Sequence, residues 1–248
     1  MKGCWPVLKR ELFSLFVTPT AWGLIVVFVA LSGLQFYLLL HHFATSIDLS
    51  VDHGPLQVFF GESMLVYLPL VLLCPGITMR LFAEERRTGT IEPLLTAPVR
   101  TPGIVLGKYL AALVTYAAMW APTVLYVVVL RRAGQIDYHV VATSYLGVFC
   151  IGAVFLAIGT LTSAMARTQL FALVLSALGI LGLFLVGIGE LIFDSGLVHD
   201  VCAHVSVWSQ MGEMSKGIVD LRRIVFDGTV VAFSLFATVR TVDAWRWG

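Results

Sequence analysis

Thr143-Ser-Tyr-Leu-Gly-Val-Phe-Cys-Ile-Gly-Ala-Val-Phe-Leu-Ala-Ile-Gly-Thr-Leu-Thr-Ser-Ala-Met165 contains no Asp, Glu, Lys or Arg. It exceeds the roughly 20 residues with which an α-helix crosses about 30 Å of hydrocarbon. In that medium the backbone finds no water, so every N–H and C=O must be satisfied within the segment, which makes it a helix. Gly152, Ala153, Ala157, Gly159, Thr160, Ser163 and Ala164 are small and let neighbouring helices approach closely.

Five further stretches read the same way, at Ala21–Leu40, Val58–Met79, Ile104–Leu130, Gln169–Leu191 and Ile224–Val239. The last is the shortest, because Asp227 and Gly228 interrupt its start. The fifth stretch carries Gly179, Gly182, Gly187 and Gly189, read as packing positions. Composition agrees: 58% of the 248 residues are hydrophobic and 12% charged, against about 25% charged in soluble domains. That leaves too little polar surface to cover a water-soluble globule. The expected class is all-α, a polytopic membrane protein of six transmembrane helices forming a single domain over residues 1–248. No internal repeat is visible, so an inverted-repeat architecture is not expected.

A net charge of +1 gives no basic field, and nucleic acid is not an expected partner. The four cysteines, at 4, 74, 150 and 202, are scattered and do not form a disulfide framework. The first apolar run has no small-residue cleavage site behind it and reads as an uncleaved span.

Cationic residues orient the chain, since they accumulate on the cytoplasmic side. Six spans put both termini on one side, and that side receives 11 of the 16 Lys and Arg, with 5 opposite. Both termini are therefore expected in the cytoplasm. Before the first span, residues 5–18 place Trp5, Leu8, Leu12, Phe13, Leu15 and Phe16 on one helical face and Arg10, Glu11 and Ser14 opposite. This predicts an amphipathic helix lying in the interface. Residues 192–223 carry Val198, Val201, Cys202, Val205 and Trp208 at helical spacing without spanning length, predicting an external interfacial or re-entrant hairpin.

The segment 80–100, between the second and third spans, is the best-defined polar feature. Pro75 and Gly76 would kink or loosen the end of the second span. After the charges Glu84, Glu85, Arg86 and Arg87, Gly89 can break the helix and Thr90 can cap a new one. Pro93 falls in its first turn, where a missing N–H costs little. Ile91, Leu94 and Leu95 share a face, and Pro98 stops the helix after about two turns. A helix that short is not stable alone, so it requires something to dock against; a solvated loop is the alternative reading of the same residues.

Met79-Arg-Leu-Phe-Ala-Glu-Glu-Arg-Arg-Thr-Gly-Thr-Ile-Glu92, followed by Leu94-Leu-Thr-Ala-Pro-Val99 and Val105-Leu-Gly-Lys108, resembles ATP-binding-cassette exporter permeases of the type-2 class. It is most similar to the branch that includes gliding-motility-associated and copper-maturation permeases. Pro93 stands where that family would have a leucine-like residue. The resemblance implies a coupling helix that fits a groove on a nucleotide-binding ATPase subunit, with Glu84, Glu85, Gly89, Thr90, Ile91, Leu94 and Leu95 as the docking surface. It further implies a second permease chain, the same or related, an external accessory protein, surrounding membrane lipid, and location in the inner (cytoplasmic) membrane. Neither a cofactor nor a catalytic residue is expected on this chain, with ATP and Mg expected on the partner. Gly103–Tyr109 is not a phosphate loop, since it has three residues between its glycines and no Ser or Thr after Lys108.

Glu62, about one turn inside the second span, is the candidate translocation-path residue, because ionisable groups in spans default to functional readings; solvation at the interface is the alternative reading, and Glu190 is similarly placed. All six histidines map to external loops at spacings that match no metal motif, so no metal site is expected. An ion-driven transporter or channel is the alternative function. It would need paired ionisable groups near the bilayer midplane, which the spans lack. A membrane enzyme would need a histidine at membrane depth, and none is placed there.

Overall fold

The computed structural model describes residues 4–45, 57–62, 64–89, 100–133, 137–193 and 195–245, and at 62, 64–66, 68 and 133 the backbone alone. Among these residues there is no strand. The helices are α1 (Cys4–Val17), α2 (Pro19–Thr45), α3 (Met64–Thr78), α4 (Ala83–Thr88), α5 (Thr101–Trp120), α6 (Val124–Ala133), α7 (Tyr138–Met165), α8 (Gln169–Ile192), α9 (Leu197–Val205), α10 (Val207–Ser215) and α11 (Leu221–Ala244).

Among the described residues, five stretches are long and apolar enough to cross a membrane: α2, the continuous run Thr101–Arg132 that joins α5 to α6, α7, α8 and α11. The shortest have 24 residues, about 36 Å at a rise near 1.5 Å per residue. The expected second span is built differently. A π-helical turn, Val58–Glu62, precedes a 15-residue α3 that contains Pro69 and Pro75. At about 22 Å, α3 alone falls short of the hydrocarbon thickness. Glu62 ends the π-helical turn, and its side chain lies outside the described residues.

Two other boundaries differ from expectation. Pro122 lies in a 3-10 turn, Ala121–Thr123, that divides the third span, because proline cannot donate to the helix ladder. The last helix is longer than Ile224–Val239 and runs through Asp227 without a break. Gln210 Nε2 on α10 donates to the buried Asp227 Oδ2, so the carboxylate has a partner inside the fold. The polar interruption is real in sequence but satisfied in space.

The middle of the bundle is α7, packed by α3, α5, α8, α10 and α11. Gly152 and Gly159 meet the side chains of Tyr116 and Thr78 directly. Residues 197–215 form two short helices meeting at Ser206, whose hydroxyl accepts from Ser209 N at 3.2 Å. None of α9 is buried, whereas α10 buries Val207, Met211 and Met214.

The amphipathic α1 is present, but its inward face is Val7, Glu11 and Leu15. Sorting by polarity had grouped Glu11 with Arg10 and Ser14 on the outer side. Glu11 turns inward because it has an ionic partner there.

Candidate functional site

Both described ends of the chain lie at the same end of the bundle, around α4. This six-residue helix has no cap of its own, since Phe82 at the N-cap position makes no side-chain hydrogen bond. The first amides of a helix have no partner within it. Here they are supplied from another helix: Ser163 Oγ on α7 accepts from Phe82 N at 3.1 Å and from Ala83 N at 3.3 Å, and donates to Met79 O at 3.3 Å. At the other end Gly89 has φ of 70°. A left-handed C-cap favours glycine, because a Cβ there is strained. The helix therefore ends where the sequence predicts a break.

The carboxylates of α4 are held from within the chain. Glu85 Oε1 lies 2.9 Å from Lys108 Nζ and 2.8 Å from Arg10 Nη2. Glu11 Oε1 lies 3.1 Å from the same ammonium and 2.8 Å from the same guanidinium nitrogen. Two cations and two carboxylates thus alternate around a closed square linking α1, α4 and α5. Burial works against the charge on Arg10, yet the hydrogen bonds and charges of Glu11 and Glu85 hold its pKa above the ordinary range. Lys108 is 1% exposed, and its ammonium also lies 5.2 Å from the centre of the Phe82 ring. α1 reaches α5 because position 107 is glycine. A Cβ there would stand 3.0 Å from Val7 and 3.1 Å from Cys4 O.

A third set of contacts ties α4 to the last helix. The Arg86 guanidinium lies 4.6 Å from the Trp245 ring centre, Phe82 meets the same ring edge-on at 6.2 Å, and Arg86 Nη1 donates to Ala166 O at 3.4 Å. Arg86 itself is held below its ordinary pKa by burial and by Arg167. Thr101 Oγ1 and Asp243 Oδ1, 2.6 Å apart, join the starts of α5 and the end of α11 nearby. Arg80 bridges the α1–α2 elbow through the hydroxyls of Thr18 and Thr20, and lies 3.2 Å from Glu84. Consequently α4 is fastened to α1, α5, α7 and α11, and a displacement of α4 has to move or strain all four.

Of the expected docking residues, Glu84, Glu85 and Gly89 are described and lie on α4 or its cap. Thr90, Ile91, Leu94 and Leu95 lie outside the described residues, as do Pro93 and Pro98. Pro75 and Gly76 are inside α3, which continues for two more residues, to Thr78. Gly76 packs against Leu24 of α2. Sequence reasoning missed Glu11, Lys108, Ser163 and Trp245 as partners of α4. Lys108 carried a usable signal: a lysine several residues into an apolar run requires a partner. Among the described residues no three His, Cys, Asp or Glu side chains come together as a metal ion would need. His53 lies outside the described residues.

A family model described as "ABC-2 family transporter protein" matches residues 5–194. The match covers α1 through α8, including α4 and its anchors Glu11, Lys108 and Ser163, and stops before α9. No curated protein matches the chain.

Proposed function

The chain belongs to the ABC-2 family of transporter proteins, and from that premise we propose that it couples ATP hydrolysis on a separate subunit to movement of its own membrane helices. It is the membrane-embedded permease component, a subunit class that is generally non-catalytic. ATP and Mg then belong to the partner ATPase, and Glu84, Glu85, Gly89, Thr90, Ile91, Leu94 and Leu95 form the surface on which that partner docks.

The observation that carries this reading is the anchorage of α4. A docked partner delivers work only if the docking element cannot swing freely. Ser163, Lys108 and Trp245 fasten α4 to the central helix, the third span and the last helix. A push on residues 90–99 enters the bundle through Gly89 and α4, and biases it between alternative packings. In this reading Val58–Glu62 and α3 together complete a sixth crossing, with Glu62 at the translocation path. Cationic residues then set both termini in the cytoplasm, beneath the inner membrane. A second permease chain pairs with this one, and an external accessory protein meets the far side. Placement in the gliding-motility and copper-maturation branch rests on residues 79–108.

The test is affinity purification of the full chain from its own membranes, with ATPase activity measured in the eluate. The expected result is a co-purifying ATPase that is lost from the Gly89→Trp, Leu94→Glu double variant. Retention of that ATPase by the double variant would rule out docking at this segment.

A further inference from the structure

A cleft of about 370 Å³ opens between α1, the α3–α4 turn and α5. Its walls carry three cations, Arg10, Arg80 and Lys108, and three carboxylates, Glu11, Glu84 and Glu85, with the hydroxyls of Ser14 and Thr18. A purely anionic ligand would face three carboxylates there, and a purely cationic one three cations. The lining suits a group that carries both signs.

Two atoms specify it further. Glu85 Oε2 is buried without a hydrogen-bond partner, although Oε1 of the same carboxylate has two ionic contacts. A buried acceptor of this kind calls for an N–H or O–H donor. On the other wall Arg10 makes both of its contacts through Nη2 and is half-exposed, which leaves Nε and Nη1 for an anion.

The depth of the cleft identifies the source. Trp5, Phe13 and Val17 of α1 and Trp22 of α2 are exposed at 55–73%. Exposed tryptophan and aliphatic side chains on an amphipathic helix belong at the lipid–water interface. The cleft beside them therefore lies at headgroup level.

We propose that this cleft binds the headgroup of an amine-bearing phospholipid of the phosphatidylethanolamine type. The ammonium donates to Glu85 Oε2, and the phosphate meets Arg10. Phosphatidylcholine has no N–H to give, and phosphatidylglycerol has no cation. This inference requires only that the chain lies in a membrane, so its failure would leave the docking of an ATPase untouched.

The test uses the full chain in detergent, titrated in turn with phosphatidylethanolamine, phosphatidylcholine and phosphatidylglycerol and read by native mass spectrometry. The expected result is one tightly retained phosphatidylethanolamine per chain, about tenfold over the other two, roughly what one charge-assisted hydrogen bond contributes. Ser14→Trp fills the cleft without touching an ion pair, and Glu85→Gln replaces the acceptor. Each is expected to abolish the preference, and Ser14→Trp should do so with the thermal unfolding temperature unchanged. Equal retention of the three lipids overturns the proposal, as does a preference that survives Ser14→Trp. Soluble glycerophosphoethanolamine is expected to compete only weakly. Binding as tight as that of the lipid would overturn the assignment to a membrane source.

Discussion

The Lys108 ammonium and the Glu85 carboxylate are 2.9 Å apart, with 1% and 14% of their side chains exposed. Removing the ammonium leaves two part-buried carboxylates, Glu11 and Glu85, with Arg10 as their one shared cation in the square, and breaking a buried ion pair costs up to about 3–5 kcal/mol. Lys108→Met is therefore expected to lower apparent thermal stability in detergent steeply, and Lys108→Arg far less. Adding Glu85→Gln to Lys108→Met is expected to recover part of the loss, with a coupling of about 0.5–3 kcal/mol. Strict additivity of the two substitutions would show that the square in the structure is not a working unit.

Ser163 provides the acceptor that α4 lacks at its own N-terminus. Ser163→Ala is expected to cost about 1 kcal/mol, the usual size of a lost N-cap. Hydrogen exchange at the amides of Phe82 and Ala83 should accelerate, while exchange in the middle of α7 stays slow. Unchanged protection at Phe82 would mean that α4 is held without the serine.

Among the described residues nothing lies within 4 Å of a Cβ built at Gly89, so substitution there tests chiefly the backbone. Gly89→Ala is expected to destabilise by about 1–2 kcal/mol from the left-handed conformation. Gly89→Asn should cost less, because asparagine tolerates that region. Equal behaviour of the two variants in thermal unfolding would argue against the left-handed cap.

Trp245 covers Arg86 and Phe82 from the last helix. Trp245→Ala is expected to cost about 1–2 kcal/mol from the lost cation–π and edge-to-face contacts, and to expose α4 to limited proteolysis after Arg86. Cleavage no faster than in the parent chain would show that α4 does not depend on α11.

Long apolar runs make most of the fold legible, because hydrocarbon permits no other backbone state. The amphipathic first helix, the break at Gly89 and the short helices after residue 196 follow from local pattern alone. What escaped depends on partners distant in sequence. Glu11 meets Lys108 across 97 positions, so a reading that sorts residues by polarity turns it the wrong way. Asp227 shortened the expected last span, since nothing local announces Gln210 as its donor. The second span read as one apolar run because composition does not register the π-helical turn before α3. At the candidate site, charge pattern marked Glu84, Glu85 and Gly89, but not Ser163 or Trp245, which only tertiary packing brings to α4.

Site-specific photo-crosslinking tests docking of an ATPase most directly. With p-benzoylphenylalanine at Ile91 or Leu94, irradiation in native membranes is expected to join the full chain to a protein that carries a phosphate-binding loop and hydrolyses ATP. The same probe at Val198 should give no such adduct. Adducts to that ATPase from Val198 and none from Ile91 or Leu94 would contradict docking through this segment.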